Sequence, residues 1–225
     1  MTTAAPRVAL VTGGARGLGV EICRQLAAAG WDVYCTARGL EAAQRVAHEL
    51  GVRAAQLDVA DPAAAAALAA SIDRLDVLVN NAAIDYDTDA RAATADLGRV
   101  QRALDTNLFG AWRLAQAFLP QLRASGHGRI VNVSSGAGQI GDMGGGLPAY
   151  HLSKLALNGL TRMLAAELRA DGILVNAVCP GWTDTDMGGG GRPVAEGARS
   201  VTWACLLDDD GPTGGFFRDG RPLPW

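Results

Sequence analysis

At 225 residues and 23.2 kDa the chain can bury a sizeable core, and 49% hydrophobic against 19% charged residues, with 29 glycines, suit a well-buried α/β protein. A net charge of −3 and a pI near 5.6 exclude a basic surface for nucleic acid or anionic membrane. The longest apolar runs, such as alanines 63–67, fall far short of the ~18 residues of a membrane span; the opening MTTAAPR carries no targeting pattern, so a cytoplasmic protein is expected.

In chain order, a β-rich run at Val8–Val11 leads into a helical stretch, Gly17–Ala29, with Thr12, Gly13, Gly17, Leu18 and Gly19 on or beside the turn between them. A second strand, Val33–Cys35, ends in the tip Thr36-Ala37-Arg38, and a helix over Glu41–Leu50 follows. Then come a strand at Arg53–Gln56, a helix over Pro62–Ile72, a strand at Val77–Val79 and a long helix over Leu97–Arg123 that Pro120 should end or kink. A strand at Ile130–Val133, a helix over Ala149–Arg169 and a strand at Leu174–Val178 complete the alternation. Strand and helix alternating in this way predict right-handed βαβ units: a doubly wound parallel sheet, the Rossmann arrangement, covered by helices on both faces. No linker or fixed-period repeat interrupts it, so one domain is expected over 1–225, with a cofactor half about 1–134 and a catalytic half about 135–225. The glycine clusters 144–146 and 188–191 read as loops.

Cys23, Cys35, Cys179 and Cys205 show no paired spacing and read as buried, reduced thiols. His48, His127 and His151 are scattered, so no metal site is expected.

A glycine-rich turn between the first strand and first helix brings free backbone N–H groups and a helix dipole to the carboxyl end of a sheet, where they favour a phosphate. A tight turn needed only for packing would look similar, but the strand–turn–helix context favours a dinucleotide. At the second strand's tip an acid would bond the adenine ribose hydroxyls; here the tip has none, while Arg38 stands there and Arg16 lies in the glycine turn. Two guanidiniums can grip a 2′-phosphate, so NADP(H) is the expected cofactor, although Glu41 is close enough in sequence to bind one of them. Tyr150 and Lys154, four apart on a helix, share a face; an ammonium there stabilises a phenolate whose unperturbed pKa is ~10.

The spacing T-G-x-x-x-G-x-G, rather than G-x-G-x-x-G, resembles the short-chain dehydrogenases/reductases. The resemblance continues through LDV (Leu57, Asp58, Val59), NNAA (Asn80 to Ala83), TNLFG with Asn107, VNVSSGAG with Ser135, YHLSK, and CPGWTDTDM with Pro180, Gly181 and Thr183. Ala83, where the family has Gly, is the clearest departure. The resemblance implies that Asp58, Val59, Asn81 and Ala82 border the cofactor and that Pro180, Gly181 and Thr183 hold its nicotinamide. It further implies that Ser135 positions a substrate carbonyl, Tyr150 donates the proton, Lys154 binds the ribose and tunes Tyr150, and Asn107 fixes a water beside Lys154. Ser134 reads as structural, and His151 as a packing or surface residue. The tail from Cys179 to Trp225 is most similar to carbonyl reductases, in which NADPH reduces ketones, aldehydes and quinones; oxidation of a secondary alcohol or sugar is the alternative. A catalytically silent cofactor sensor would lack part of the tetrad, and halohydrin dehalogenases replace the Lys and lose the glycine turn. The family's pairing of the Leu97–Arg123 and Ala149–Arg169 helices with their symmetry mates implies a homodimer or homotetramer, with Leu104, Leu108, Ala111, Ala115 and Phe118 offering a stripe on the long helix, some of which must face the sheet. The glycines at 188–191 point to a short, mobile cover over an open site, or else to a tight turn over a closed one.

Overall fold

In the computed structural model, which describes residues 6–225, the chain forms one eight-stranded sheet of order β3-β2-β1-β4-β5-β6-β7-β8. The first five residues, read above as a lead-in with no targeting pattern, lie outside the described residues. The strands are β1 Val8–Val11, β2 Asp32–Ala37, β3 Arg53–Gln56, β4 Val77–Asn80, β5 Arg129–Val133, β6 Leu174–Val178, β7 Phe216–Arg218 and β8 Arg221–Pro222. All pair in parallel except β8, which returns antiparallel on β7. The helices are α1 Gly17–Ala28, α2 Leu40–Leu50, α3 Pro62–Ser71, α4 Leu97–Leu104, α5 Ala111–Ala117, α6 Leu119–Ser125, α7 Pro148–Glu167 and α8 Val194–Cys205.

Strand periodicity divides the core. Ala9 and Val11 of β1, Val77 and Val79 of β4, and Val131 and Val133 of β5 pack with Ile22, Leu26, Val46 and Val201 of α1, α2 and α8. The alternate residues Leu10, Leu78 and Ile130 pack on the other face with Leu68, Leu114, Leu122, Leu157 and Leu164 of α3, α5, α6 and α7. This is the expected doubly wound sheet. Among the described residues no helix is long and apolar enough to cross a membrane, and no His/Cys/Asp/Glu cluster could hold a metal.

Local chemistry sets the helix ends. Asp61 accepts from Ala63 N at 2.8 Å with Pro62 in the first turn of α3, and Asp96 accepts from Gly98 N at 2.8 Å to start α4. The long helix expected over Leu97–Arg123 is three shorter helices. A π-helical turn, Asp105–Gly110, separates α4 from α5, and Pro120 restarts the chain as α6 after a break at Phe118. The expected α7 span of Ala149–Arg169 ends earlier, at Glu167, and α8, β7 and β8 had no counterpart in the sequence reading.

The chain runs β1 to β3 in one direction and returns to place β4 on the other side of β1. That reversal opens a crevice at the carboxyl ends of β1 and β4, where open α/β sheets bind ligands.

Candidate active site

Thr12 ties the two walls of the crevice together. Its hydroxyl donates to Val79 O at 3.3 Å and accepts from Asn81 N and Ala82 N, each at 2.9 Å. Asn81 Nδ2 reaches back to Thr12 O at 2.8 Å and Gly13 O at 3.2 Å. The loop after β4 is thereby stitched to the glycine turn after β1. Gly13 has φ +61°, and a Cβ on Gly19 would lie 2.2 Å from Gly13 O, so this turn tolerates no side chain at either position. No side chain caps the N-terminus of α1, leaving its first N–H groups facing the crevice.

A cavity of about 1070 Å³ occupies the crevice, at the upper end of ligand cavities and long enough to run from the tip of β2 to β7. It is lined by Gly13, Arg16, Gly17, Leu18, Gly19, Arg38, Asp58, Val59, Asn81, Ala82, Ser135, Tyr150, Lys154, Pro180, Gly181 and Thr183. The structure thus gathers every expected cofactor residue and three of the four expected catalytic ones around one space. At one end Arg16 and Arg38 are exposed, and Arg45 of α2 joins them. None of the three, nor Glu41, forms an ion pair among the described residues. The unbonded guanidiniums and the bare glycine turn together fit a dinucleotide carrying an extra phosphate.

The other end is dry. Ser135 follows β5, while Tyr150 and Lys154 face the cavity from the first turns of α7, 9% and 2% exposed. Lys154 Nζ donates to Val133 O at 2.7 Å and lies 5.6 Å from the centre of the Tyr150 ring. Burial pushes the Lys154 ammonium down to about 8. Burial also pushes the Tyr150 phenol up to about 12, against the opposing pull of the neighbouring Ser135 hydroxyl. Without cofactor, desolvation keeps Tyr150 a protonated phenol through the neutral range. Tyr86 packs edge-on against the Tyr150 ring at 5.1 Å, and Trp182, 53% exposed, meets Tyr86 at 5.8 Å on the rim.

Two further residues support the site from outside its lining. Asn107 lies in the π-helical turn behind the cavity wall; its Nδ2 donates to Ile84 O at 3.1 Å and Ser153 Oγ at 2.9 Å, and its Oδ1 accepts from Ile84 N at 2.9 Å. Both amide hydrogens are committed to protein, so this side chain ties the loop after β4 to α7. Asp87, unremarked in the sequence, is buried and accepts from Ala149 N at 2.9 Å and Tyr150 N at 3.1 Å. It caps α7 from a distance, since Leu147 at the cap position is left-handed with φ +55° and offers no side-chain bond. Ser134 is structural as expected, donating to Asn158 Oδ1 at 2.6 Å, whereas His151 lines the cavity instead of merely packing.

The glycines at 188–191 build a tied turn. Asp184 N donates to Arg192 O at 3.0 Å, Arg192 N to Trp182 O at 2.9 Å, and Gly190 N to Asp184 Oδ1 at 2.8 Å, with positive φ at Gly189, Gly190 and Gly191. Of the two covers anticipated, the loop takes the tight one, while the exposed Trp182 leaves the rim open.

Residues 7–193 match the family model described as short chain dehydrogenase. The chain belongs to the short-chain dehydrogenase family. It is therefore an oxidoreductase of carbonyl and alcohol groups, in a family that works with nicotinamide cofactors. It is 36% identical to (+)-neomenthol dehydrogenase of Arabidopsis thaliana, over 96% of this chain and 97% of that protein. The alignment spans 293 residues, so the plant protein carries segments this short-chain dehydrogenase lacks. An acetoacetyl-CoA reductase of Rhizobium meliloti is 40% identical over 80% of this chain and 76% of its own. Among solved structures, the carbonyl reductase Sniffer of Drosophila melanogaster superposes with a TM-score of 0.90 at 30% identity, covering 98% of this chain and 100% of that one. An NADPH-bound carbonyl reductase from chicken fatty liver gives a TM-score of 0.86 at 31% identity, over 99% and 96% of the two chains.

A lysine whose folded pKa lies below its unfolded value penalises folding fully at low pH. The penalty eases as pH rises from about 8 toward ~10.4, where the folded state has released a proton that the unfolded chain still holds. Replacing Lys154 by Met should therefore stabilise this cofactor-free dehydrogenase by about 1–3 kcal/mol near pH ~7. The gain should shrink near pH ~9.5, still below the ionisation of unfolded tyrosine. Thermal unfolding of both proteins at the two pH values checks this, and destabilisation at the lower pH contradicts the buried-charge assignment.

Proposed function

We propose that the protein reduces a ketone or aldehyde to an alcohol at the expense of NADPH. The observation that carries this reading is the buried, protonated Tyr150 phenol, which lines with Ser135 and Lys154 one end of the cavity that holds Arg16, Arg38 and Arg45 at its other end. When bound, the nicotinamide supplies the hydride. Ser135 turns its hydroxyl to the carbonyl oxygen and fixes it beside Tyr150. The phenol then gives its proton to that oxygen as negative charge develops there, which a group protonated up to about 12 can do throughout the neutral range. Lys154 sits where its ammonium stabilises the phenolate left behind, and Asp87 and Asn107 keep the start of α7 in place while the proton moves. In reverse the same groups would oxidise an alcohol. Residues 1–134 and 135–225 act as one unit, the first half gripping cofactor and the second supplying the acid. The four cysteines, all buried and free, suit a cytoplasmic enzyme.

Coenzyme choice tests the basic end. NADPH should be preferred to NADH by kcat/KM, and Arg38→Asp should reverse the order, because losing a charge-assisted pairing costs on the order of 1.5–3 kcal/mol, about one to two decades. Equal kcat/KM for the two coenzymes in the unmodified enzyme contradicts the assignment.

We also infer a homodimer, built on α7, one of the two helices that the family's pairing implies. Ala111, Ala115 and Phe118 are buried in the core beneath the sheet, so that stripe is not free. The outer side of α7 instead presents Leu152, Leu155, Ala156, Gly159 and Met163 at three- and four-residue steps, with Leu152 46% and Met163 61% exposed. Phe109, 44% exposed, belongs to the neighbouring π-helical turn. A two-fold contact buries such a stripe against itself. Light scattering after size exclusion should give twice the 23.2 kDa chain mass, falling to one chain for Leu152→Glu with Met163→Glu; a single-chain mass for the unmodified protein at micromolar concentration refutes the dimer.

A further inference from the structure

The substrate end of the cavity holds one cation that the reaction above does not use. Arg218, the last residue of β7, lines the cavity with Ser135, Gly136 and Cys179. Its Nη2 donates to Cys179 Sγ at 3.1 Å and lies 3.4 Å from where a Cβ on Gly136 would stand. The guanidinium is therefore wedged between the segment that follows Ser135 and the segment that leads to Pro180, the two strand ends that frame the reacting centre.

Its bonding is incomplete. Nε is buried with no hydrogen-bond partner, and no carboxylate pairs with this side chain among the described residues. The adjacent Asp219 gives its two oxygens to Arg192, at 2.9 Å each. A thiol is a weak acceptor, and a guanidinium cannot shed its proton to escape the cost. A half-buried arginine with one poor acceptor and one orphaned donor is under-compensated as it stands, and an oxyanion in the cavity offsets that by pairing with the charge and accepting from the guanidinium N–H groups that Cys179 leaves unbonded.

We propose that Arg218 is the anion-reading residue of the substrate site, and that the preferred substrate is an oxo acid whose carboxylate lies a few atoms from the reacting carbonyl. This rests on the reductase reading and sharpens it. Ser135 and Tyr150 hold the carbonyl oxygen, Arg218 holds the carboxylate, and the two contacts fix which face of the carbonyl is presented. The carboxylate is unchanged in the reaction. Tyr86 and Trp182, which also line the cavity, supply apolar surface for the remainder of the molecule.

The test compares 2-oxo, 3-oxo and 4-oxo carboxylic acids with their methyl esters, following NADPH consumption by the unmodified enzyme and by Arg218→Gln and Arg218→Lys. The best acid should exceed its ester in kcat/KM. Arg218→Gln should lower that acid-to-ester ratio at least ~10-fold, mainly through KM for the acid, and Arg218→Lys should restore part of it. Calorimetric titration of the same acid into NADP⁺-loaded protein should show binding weakened at least ~10-fold by Arg218→Gln. Acid and ester that respond equally to the substitution overturn the proposal, as does a rise in KM for NADPH that is the same with both. If no carbonyl compound consumes NADPH the reductase reading fails, and the titration still decides whether Arg218 binds a carboxylate.

Discussion

Lys154 carries an ammonium into the dry end of the cavity with one backbone carbonyl, that of Val133, as its hydrogen-bond acceptor. Burying a charge with so little compensation is costly, and the cost is met by fixing everything around it. β5, held between β4 and β6, supplies the carbonyl and then Ser135. α7 supplies the lysine and, one turn earlier, Tyr150. Asp87 pins the first N–H groups of that helix, and Asn107 bridges Ser153 of the same helix to the loop after β4. Each polar contact holds two elements at once, so the reacting groups are positioned by a network rather than by their own rotamers.

The opposite end works by leaving groups unbonded. The glycine turn contributes no side chains at Gly13 and Gly19, α1 begins without a side-chain cap, and Arg16, Arg38 and Arg45 have no carboxylate partners among the described residues. Thr12 and Asn81 take the opposite part, spending their bonding on the backbone of the crevice so that it does not close on itself. The molecule thus pairs an end that is open, solvated and electropositive with one that is closed and desolvated. That contrast suits an elongated ligand with one charged end and one less polar end.

The sequence made much of this legible, for physical reasons. β1, β4 and β5 read clearly because both their faces are buried and their residues are nearly all apolar, and the glycine turn read clearly because close backbone approach admits few alternatives. Tyr150 and Lys154 were visible through helical spacing. Asp87 was not, because it reaches 62 residues along the chain to cap α7, and no local pattern marks such a bond. The π-helical turn was hidden because its weak helix formers, Asp105, Thr106, Asn107 and Gly110, sit inside a longer apolar periodicity that reads through them, and Ala111, Ala115 and Phe118 of the stripe pointed inward. The raised pKa of Tyr150 depends on three-dimensional burial, which spacing does not encode. β7, with Arg218, was too short to register as a strand and enters the site only through its pairing with β6.

The central claim is that Tyr150 is the proton donor in a carbonyl reduction. The most direct test is single-turnover NADPH oxidation by Tyr150→Phe with a saturating ketone, alongside NADPH binding measured by fluorescence. The phenylalanine ring keeps the edge-on contact with Tyr86 and loses only the hydroxyl. The account predicts NADPH affinity close to that of the unmodified enzyme and turnover at least ~10²-fold slower. A correctly folded variant that retains most of its reductase rate contradicts it.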